Sequence, residues 1–270
     1  MTFFQSIFLG IIQGLTEFIP VSSSGHLVLA QYFFGIGGTE DITFEVFVHL
    51  GTLVAVFIYF YRQILDLVVS LFSWKPNLDA ERHRNNRSMI LYLAVATLAT
   101  GVIYMIFKSF FEDAYGRPLL VSIMLLITGV MIFLSDFVKD THIPASNIGI
   151  VKSFFIGIAQ ACAIIPGISR SGATITASLF CKVRRKDAAH FSFLLSIPAI
   201  LAANVSELPA LLSLDVSQLY IYLAGFLASF IAGYLVISIL IRLIQSSSLK
   251  YFAYYVWAVA GISILVILIR

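Results

Sequence analysis

The chain has 270 residues, 60% of them hydrophobic and 11% charged, with a formal net charge of +3. A soluble globular domain carries about 25% charged residues, so the composition excludes that class and leaves an integral membrane protein. The small positive charge, with no basic run interleaved with aromatics, also argues against a nucleic-acid partner.

The first apolar stretch, residues 2–34, is interrupted at "FIPVSSSGH". It lacks the positive start of a signal peptide and is expected to be retained. Apolar runs follow at 43–62, 88–107 and 117–137, each close to the roughly 20 residues a bilayer-crossing helix needs. A second interrupted stretch, 150–181, breaks at "IIPGISRSG", and three more runs occupy 189–212, 218–242 and 251–269. Each half of an interrupted stretch is too short to span, so the pair predicts re-entrant hairpins.

The two interrupted stretches are related. Shifting the sequence by 147 places Ser6, Gly10, Gln13, Ser22, Ser24, Gly25, Ala30 and Phe44 on Ser153, Gly157, Gln160, Ser169, Ser171, Gly172, Ala177 and Phe191. Twelve identities fall between residues 5 and 55 without a gap. The pattern reads as one hairpin plus three spans, repeated, with repeats at about 1–137 and about 150–270 of a single membrane domain. An odd number of spans turns the second repeat over, so inverted topology is expected. The expected fold is an all-α integral membrane protein with six transmembrane helices plus two re-entrant hairpins.

Charge gives an orientation. Arg62, Lys75, Arg82, Arg84, Arg87, Lys139, Lys152, Lys182, Arg184, Arg185, Lys186, Arg242 and Lys250 fall on one side, thirteen of the seventeen Lys and Arg. That side is expected to be cytoplasmic and both termini extracytoplasmic. Connections 35–43 and 206–217 on the other side hold no Lys or Arg. Cys162 and Cys181 match no metal-ligand spacing.

Each polar residue in the interrupted stretches has an ordinary reading. Serine hydroxyls cap helix starts, Gln13 and Gln160 can be interhelical hydrogen bonds, and His49, on the 43–62 run, reads as packing or a helix–helix contact. Glu17 and Arg170 are harder to place that way. An ionisable side chain at bilayer depth costs on the order of 3 kcal/mol and marks functional sites, and a buried ion pair is weakly stabilising on its own. Glu45 is a third candidate, or an interfacial residue. If the hairpins enter from opposite faces, their turns bring together Gln13, Glu17, Ser22, Ser23, Ser24, His26, Ser169, Arg170, Ser171 and Thr174. Helix N-termini, an Arg and hydroxyls suit phosphate oxygens. A carboxylate beside them suits a divalent cation or a base, and His26 a proton donor.

At this point the residues match a known pattern. "QGLTEFIPVSSSGH" resembles the (E/Q)-x-x-x-E and P-V-S-S-x-G-H signature of the bacterial undecaprenyl-diphosphate phosphatases of the bacitracin-resistance type, and "PGISRSGATI" resembles their P-G-x-S-R-S-G-A-T. "TFEVFVHLGTLVAV" and "FSFLLSIPA" resemble the helices that follow. The resemblance implies removal of the terminal phosphate from undecaprenyl diphosphate. That would recycle the lipid carrier for cell-wall synthesis and confer bacitracin resistance. It also implies a divalent metal, Mg²⁺ or Ca²⁺, on Glu17, a site opening to the extracytoplasmic face of the bacterial plasma membrane, and a fold compatible with a homodimer. Carried over by position, the family's functional residues fall on Gln13, Glu17, Ser23, His26, Ser169, Arg170, Ser171 and Thr174; Glu17, Ser23, His26 and Arg170 are expected to be catalytic, and Gln13, Ser169, Ser171 and Thr174, together with Ser22 and Ser24 of the same polar cluster, substrate-binding. Gln13 stands where other members have Glu, which shifts base and metal roles to Glu17. The nucleophile is Ser23 or a water activated by Glu17.

The sequence fits two alternatives. Inverted repeats with broken helices are also transporter architecture, so a carrier of undecaprenyl phosphate fits the pattern; phosphate release separates the two. The type-2 phosphatidic acid phosphatases share a superficial S-G-H and S-R, but need basic residues before Ser22 and a His soon after Arg170. Nothing basic precedes Ser22, and the next His is His190.

Overall fold

A computed structural model describes residues 1–36, 42–73, 79–246 and 248–270. Twelve α-helices run through them: α1 (Phe3–Thr16), α2 (Ser23–Phe34), α3 (Ile42–Tyr59), α4 (Tyr61–Phe72), α5 (Ala80–Tyr115), α6 (Pro118–Ser135), α7 (Ile150–Cys162), α8 (Arg170–Phe180), α9 (Arg185–Ser206), α10 (Leu208–Leu212), α11 (Val216–Ser246) and α12 (Lys250–Ile269). Six of them, α3, α5, α6, α9, α11 and α12, are long and apolar enough to cross a membrane. At 14 and 13 residues, α1 and α7 are not. The surface is apolar, with Leu98 at 68% and Leu268 at 69% exposure, while Gln13, Glu17, Glu45 and Gln160 are buried. This is the distribution expected when lipid is the solvent.

Chain punctuation explains the breaks. Pro20 and Pro166 each lie in an interrupted stretch, and a proline ends the helix before it. Thr2 starts α1 with a capping box, accepting from the Gln5 amide while the Gln5 side chain accepts from the Thr2 amide at 2.7 Å. α2 ends at Gly35, in the left-handed region at φ +60°.

Three boundaries differ from the sequence reading. The span expected at 43–62 ends at Tyr59, and the chain turns at Phe60 into α4. The connection between the 43–62 and 88–107 runs, expected to be a loop, is instead α4 plus the first turns of α5. Those polar turns stay helical because α4 partners them. Asp66 takes Arg82, and Ser70 Oγ meets His83 Nδ1 and Asn86 Nδ2, each at 2.9 Å. The span expected at 189–212 stops at Ser206, and a separate short helix begins at Leu208 with Pro209 in its first turn. Lys75 and part of the 35–43 connection lie outside the described residues.

The packing is reciprocal. α1 lies along α11, and α7 lies along α5. Gly10 of α1 sits against the Gly225 carbonyl, and Gly157 of α7, 147 residues on, against the Ala96 backbone. A side chain at either position would push the helices apart, as at the small-residue interfaces of membrane helices. α6 and α12 pair with each other, joined by Trp257 Nε1 donating to the Leu126 carbonyl at 3.1 Å.

Asp136, just after α6, ties this pair to α9. Its carboxylate accepts from the amides of Leu249 (2.9 Å) and Lys250 (3.0 Å), from the Ser248 hydroxyl, and from Arg185 (3.1 Å). Burial works against its charge, but these donors hold the carboxyl below its ordinary value of 3.8. A depressed carboxylate stabilises the fold above its unfolded pKa and loses that contribution as pH falls through the folded value. Asp136→Asn is therefore expected to cost about 1 kcal/mol at neutral pH, the usual scale of a helix cap. Thermal melts should show the gap from wild type closing as pH drops below 3.8. A gap that is constant down to strong acid would refute the account.

Candidate active site

The first turn begins while the helix is still in register. Glu17 has φ −61° and ψ −44°, and its amide donates to the Gln13 carbonyl at 2.9 Å. Gln13 and Glu17 therefore share one face, and Gln13 Nε2 donates to Glu17 Oε2 at 3.0 Å. The chain then reverses through Phe18–Ser22. Ser22 adopts φ +69°, a conformation L-residues rarely accept. Its Oγ caps α2 by accepting from the Gly25 amide at 3.2 Å. With Ser22 so placed, Ser23 opens α2 and points its hydroxyl back, donating to Glu17 Oε2 at 2.5 Å.

The second turn is built the same way. Gly167 sits at φ +98°, where a side chain is disfavoured. Ser169 caps α8 by accepting from the Gly172 amide at 3.0 Å. Arg170 opens α8 and donates from one terminal nitrogen to Glu17 Oε1 at 2.5 Å and from the other to the Ser192 carbonyl at 3.4 Å. The two turns touch, with Gly25 against the Gly167 Cα. The capping serines Ser22 and Ser169 and the glycines Gly25 and Gly172 obey the 147-residue relation, but Gly167, which falls on Pro20, and the charged residues break it. Ile164 corresponds to Glu17, Ser23 to Arg170, and Ser196 to His49. The scaffold is duplicated; the chemistry is not.

Glu17 is 5% exposed. A buried carboxylate is tolerable only when paired and hydrogen-bonded, and this one is engaged on both oxygens. Arg170 holds Oε1; Gln13, Ser23 and His49 Nε2 (3.3 Å) converge on Oε2. His49 is oriented by its Nδ1, which donates to the Glu45 carbonyl at 2.6 Å. Beside this centre lies a cavity of about 170 Å³, lined on its polar side by Glu17, Ser22, Ser23, Ser24, His49, Tyr115, Ser169 and Arg170. An apolar cavity of about 270 Å³ adjoins it, sharing Val46, Tyr115, Ala163, Ile164, Arg170, Ala199 and Ala203. The pair suits a molecule with a charged head and a greasy chain.

Of the residues singled out in the sequence, Gln13, Glu17, Ser23 and Arg170 are in direct contact, and Ser22, Ser24 and Ser169 line the same cavity. Three are turned elsewhere. His26 does not line the cavity; its Nδ1 donates to the Ser22 carbonyl at 2.8 Å and its Nε2 meets the Tyr255 hydroxyl at 3.0 Å. Ser171 is spent on Ser169 Oγ (3.3 Å) and the Ile19 carbonyl (3.2 Å). Thr174 is fully buried on Ser192 Oγ (2.6 Å) and the Arg170 carbonyl (2.8 Å). Conversely, His49 and Tyr115 reach the cavity although neither was singled out for it. An available signal for His49 was the one used for Glu17, an ionisable group inside an apolar span.

The described residues contain no group of three or more His, Cys, Asp and Glu side chains that could hold a metal. They do offer hard oxygen donors: Glu17, and Gln13 Oε1, which is buried and has no hydrogen-bond partner. One carboxylate and one amide oxygen fit a Mg²⁺ or Ca²⁺ ion that shares its shell with phosphate oxygens, rather than a closed protein cage.

A family model described as Bacitracin resistance protein BacA matches residues 6–262. The undecaprenyl-diphosphatase of Methanobrevibacter smithii is 39% identical over 266 residues, covering 96% of this chain and 95% of its own. That of Salinibacter ruber is 38% identical over 270 residues, covering 98% and 99%. That of Halothermothrix orenii is 39% identical over 269 residues, covering 99% and 98%. By the extent of these matches, the chain belongs to the bacitracin resistance protein BacA family.

Proposed function

We propose that this protein is a membrane phosphatase that hydrolyses undecaprenyl diphosphate to undecaprenyl phosphate and inorganic phosphate. The observation that carries the reading is the contact of Ser23 with Glu17, which is paired in turn with Arg170 at the junction of two helix starts. A hydroxyl on a carboxylate base beside a guanidinium is the minimal equipment for phosphoryl transfer. The names of the relatives support the substrate. In the cell the product would return to service as the lipid carrier for cell-wall polymers, and its supply would underlie bacitracin resistance.

The diphosphate enters the polar cavity and the prenyl chain takes the apolar side. Ser23 Oγ attacks the terminal phosphorus, passes its proton to Glu17 and displaces undecaprenyl phosphate. Water then attacks the phosphoserine phosphorus, the P–Oγ bond breaks, Glu17 returns its proton to Ser23 Oγ, and inorganic phosphate and the proton given up by the water leave the site. Arg170 has five N–H donors, of which Glu17 and Ser192 take two, so others remain for the phosphate oxygens. The departing group is itself a phosphate with a pKa near 6, and needs no strong acid. That agrees with a scaffold role for His26, holding α2 to α12 through Tyr255. A divalent ion bound at Glu17 and Gln13 would neutralise charge on the diphosphate.

The short pairs α1–α2 and α7–α8 serve in this proposal as re-entrant hairpins of an inverted repeat, in a multi-pass plasma-membrane protein. The reciprocal packing of α1 on α11 and α7 on α5 supports it. Thirteen of the seventeen Lys and Arg then face the cytoplasm. Both termini and the mouth of the site face outward.

The test is inorganic phosphate release from undecaprenyl diphosphate by detergent-purified protein, with Mg²⁺, with Ca²⁺ and with excess EDTA. Release that depends on the metal is expected. Folded protein that moves undecaprenyl phosphate between leaflets but liberates no phosphate under any metal would overturn the proposal in favour of a carrier.

A further inference from the structure

The second turn rests on a residue that takes no part in the chemistry above. Thr128, on α6, is fully buried. Its hydroxyl donates to the Gly167 carbonyl at 2.8 Å and accepts from the Ser169 amide at 3.0 Å. One side-chain oxygen thus bridges the carbonyl and amide that flank Ile168, just before Arg170. The same helix supplies the rest of the bed. The space where a Gly167 side chain would stand is taken by the Val121 carbonyl and Met124 Cβ of α6, and Leu125, on the same face as Thr128, lies against Gly25 of the first turn.

We infer that Thr128 is a positioning residue for the phosphatase reaction, a hydroxyl clip that fixes the 166–169 turn and so sets Arg170 against Glu17 and Ser23. The inference rests on the proposed phosphatase activity for its kinetic readout. The turn carries φ +98° at Gly167 and lies between α7 and α8, where the Ile168 amide donates to the Ile165 carbonyl at 3.0 Å. A buried amide and carbonyl left without partners would reorganise to find them. Arg170 is joined to Ser169 by the next peptide bond, so such a shift moves the guanidinium directly. Its charge and its phosphate-binding capacity persist, but its geometry does not. A displacement of about 1 Å in a catalytic array can cost up to about a hundredfold in rate.

The experiment compares wild type, Thr128→Val and Thr128→Ser in three measurements: thermal melting, hydrogen–deuterium exchange over residues 164–172, and steady-state phosphate release. Valine keeps the shape and removes the hydroxyl; serine keeps the hydroxyl. The expected result for Thr128→Val is faster exchange confined to the turn and a kcat lowered about ten- to a hundredfold, with KM nearly unchanged. Thr128→Ser should restore both exchange and kcat. A Thr128→Val protein with wild-type kcat and exchange overturns the inference, as does a Thr128→Ser protein impaired as severely as the valine variant, which would mark the position as packing alone. If valine prevents folding, Thr128→Ala is read by the same criteria. Wild type that releases no phosphate would refute the phosphatase reading, and exchange then judges the clip alone: protection lost in valine and regained in serine sustains it, and protection unchanged in valine removes it.

Discussion

Arg170→Ala is expected to lower kcat/KM for phosphate release by about two orders of magnitude or more. Two effects combine. The variant loses the cation that would meet charge developing on the transferring phosphoryl group, a contribution made mainly in the transition state. It also takes from Glu17 Oε1 its 2.5 Å partner, leaving the carboxylate only the Oε2 contacts to Gln13, Ser23 and His49. Removing one member of a buried pair leaves an uncompensated charge and typically costs about 3–5 kcal/mol in stability, so lost activity alone would not separate chemistry from folding. Two companions do. Arg170→Lys retains a positive charge but replaces a planar fork by a point charge; it should fold like wild type and recover only part of the rate. Arg170→Ala combined with Glu17→Gln removes both charges; it should recover stability while remaining inactive. Melting temperature and kcat/KM for the three proteins give the answer. A single Arg170→Ala variant that is folded and within about threefold of wild type would defeat the assignment of Arg170 to the phosphate.

The membrane-crossing helices were legible because lipid imposes a length and a composition on them, and both are written in consecutive residues. What lay outside that rule was hidden. α4 and the start of α5 carry Arg62, Asp66, Arg82, Arg84 and Asn86, too polar to register as a span. They are helical because they hydrogen-bond to each other across the 74–78 segment, a pairing no local pattern announces. The split of α9 from α10 was readable in principle from Pro209, but the apolar run continued through it. At the site, Glu17 and Arg170 stood out by the cost of a charge among apolar neighbours. Which of the serines would cap and which would face the carboxylate was not readable. It is decided by the positive φ at Ser22, which commits that residue to the Gly25 amide and leaves Ser23 for Glu17. His26 shows the same limit from the other side. Its place in the motif suggests chemistry, yet its ring is held by Tyr255, 229 residues away on α12.

That commitment makes Ser23 the position where nucleophile and scaffold can be told apart. Ser23→Ala should abolish turnover, lowering kcat by about three orders of magnitude or more if the hydroxyl is the nucleophile. Ser23 Oγ lies 2.5 Å from Glu17 Oε2, within the reach required of a nucleophile and its base, and both line the cavity with Arg170. An attacking water would instead have to take a place on Oε2 already approached by Gln13, Ser23 and His49. Stability should change little, because the cap of α2 belongs to Ser22 and not to Ser23. The kinetic loss alone would not distinguish a nucleophile from a hydroxyl that merely orients Glu17, so the covalent product has to be sought. Acid quenching during turnover with substrate labelled in the terminal phosphate, followed by mass spectrometry of the 18–31 region, should find phosphate on Ser23 in wild type and none in Ser23→Ala. Glu17→Gln offers the matching control: it keeps the nucleophile, removes the base, and should slow formation of the phosphoserine rather than prevent it. If Ser23→Ala still releases phosphate within about tenfold of wild type, Ser23 is excluded as nucleophile. The attacking oxygen is then a water on Glu17, and the Ser23 contact is a means of aiming the carboxylate.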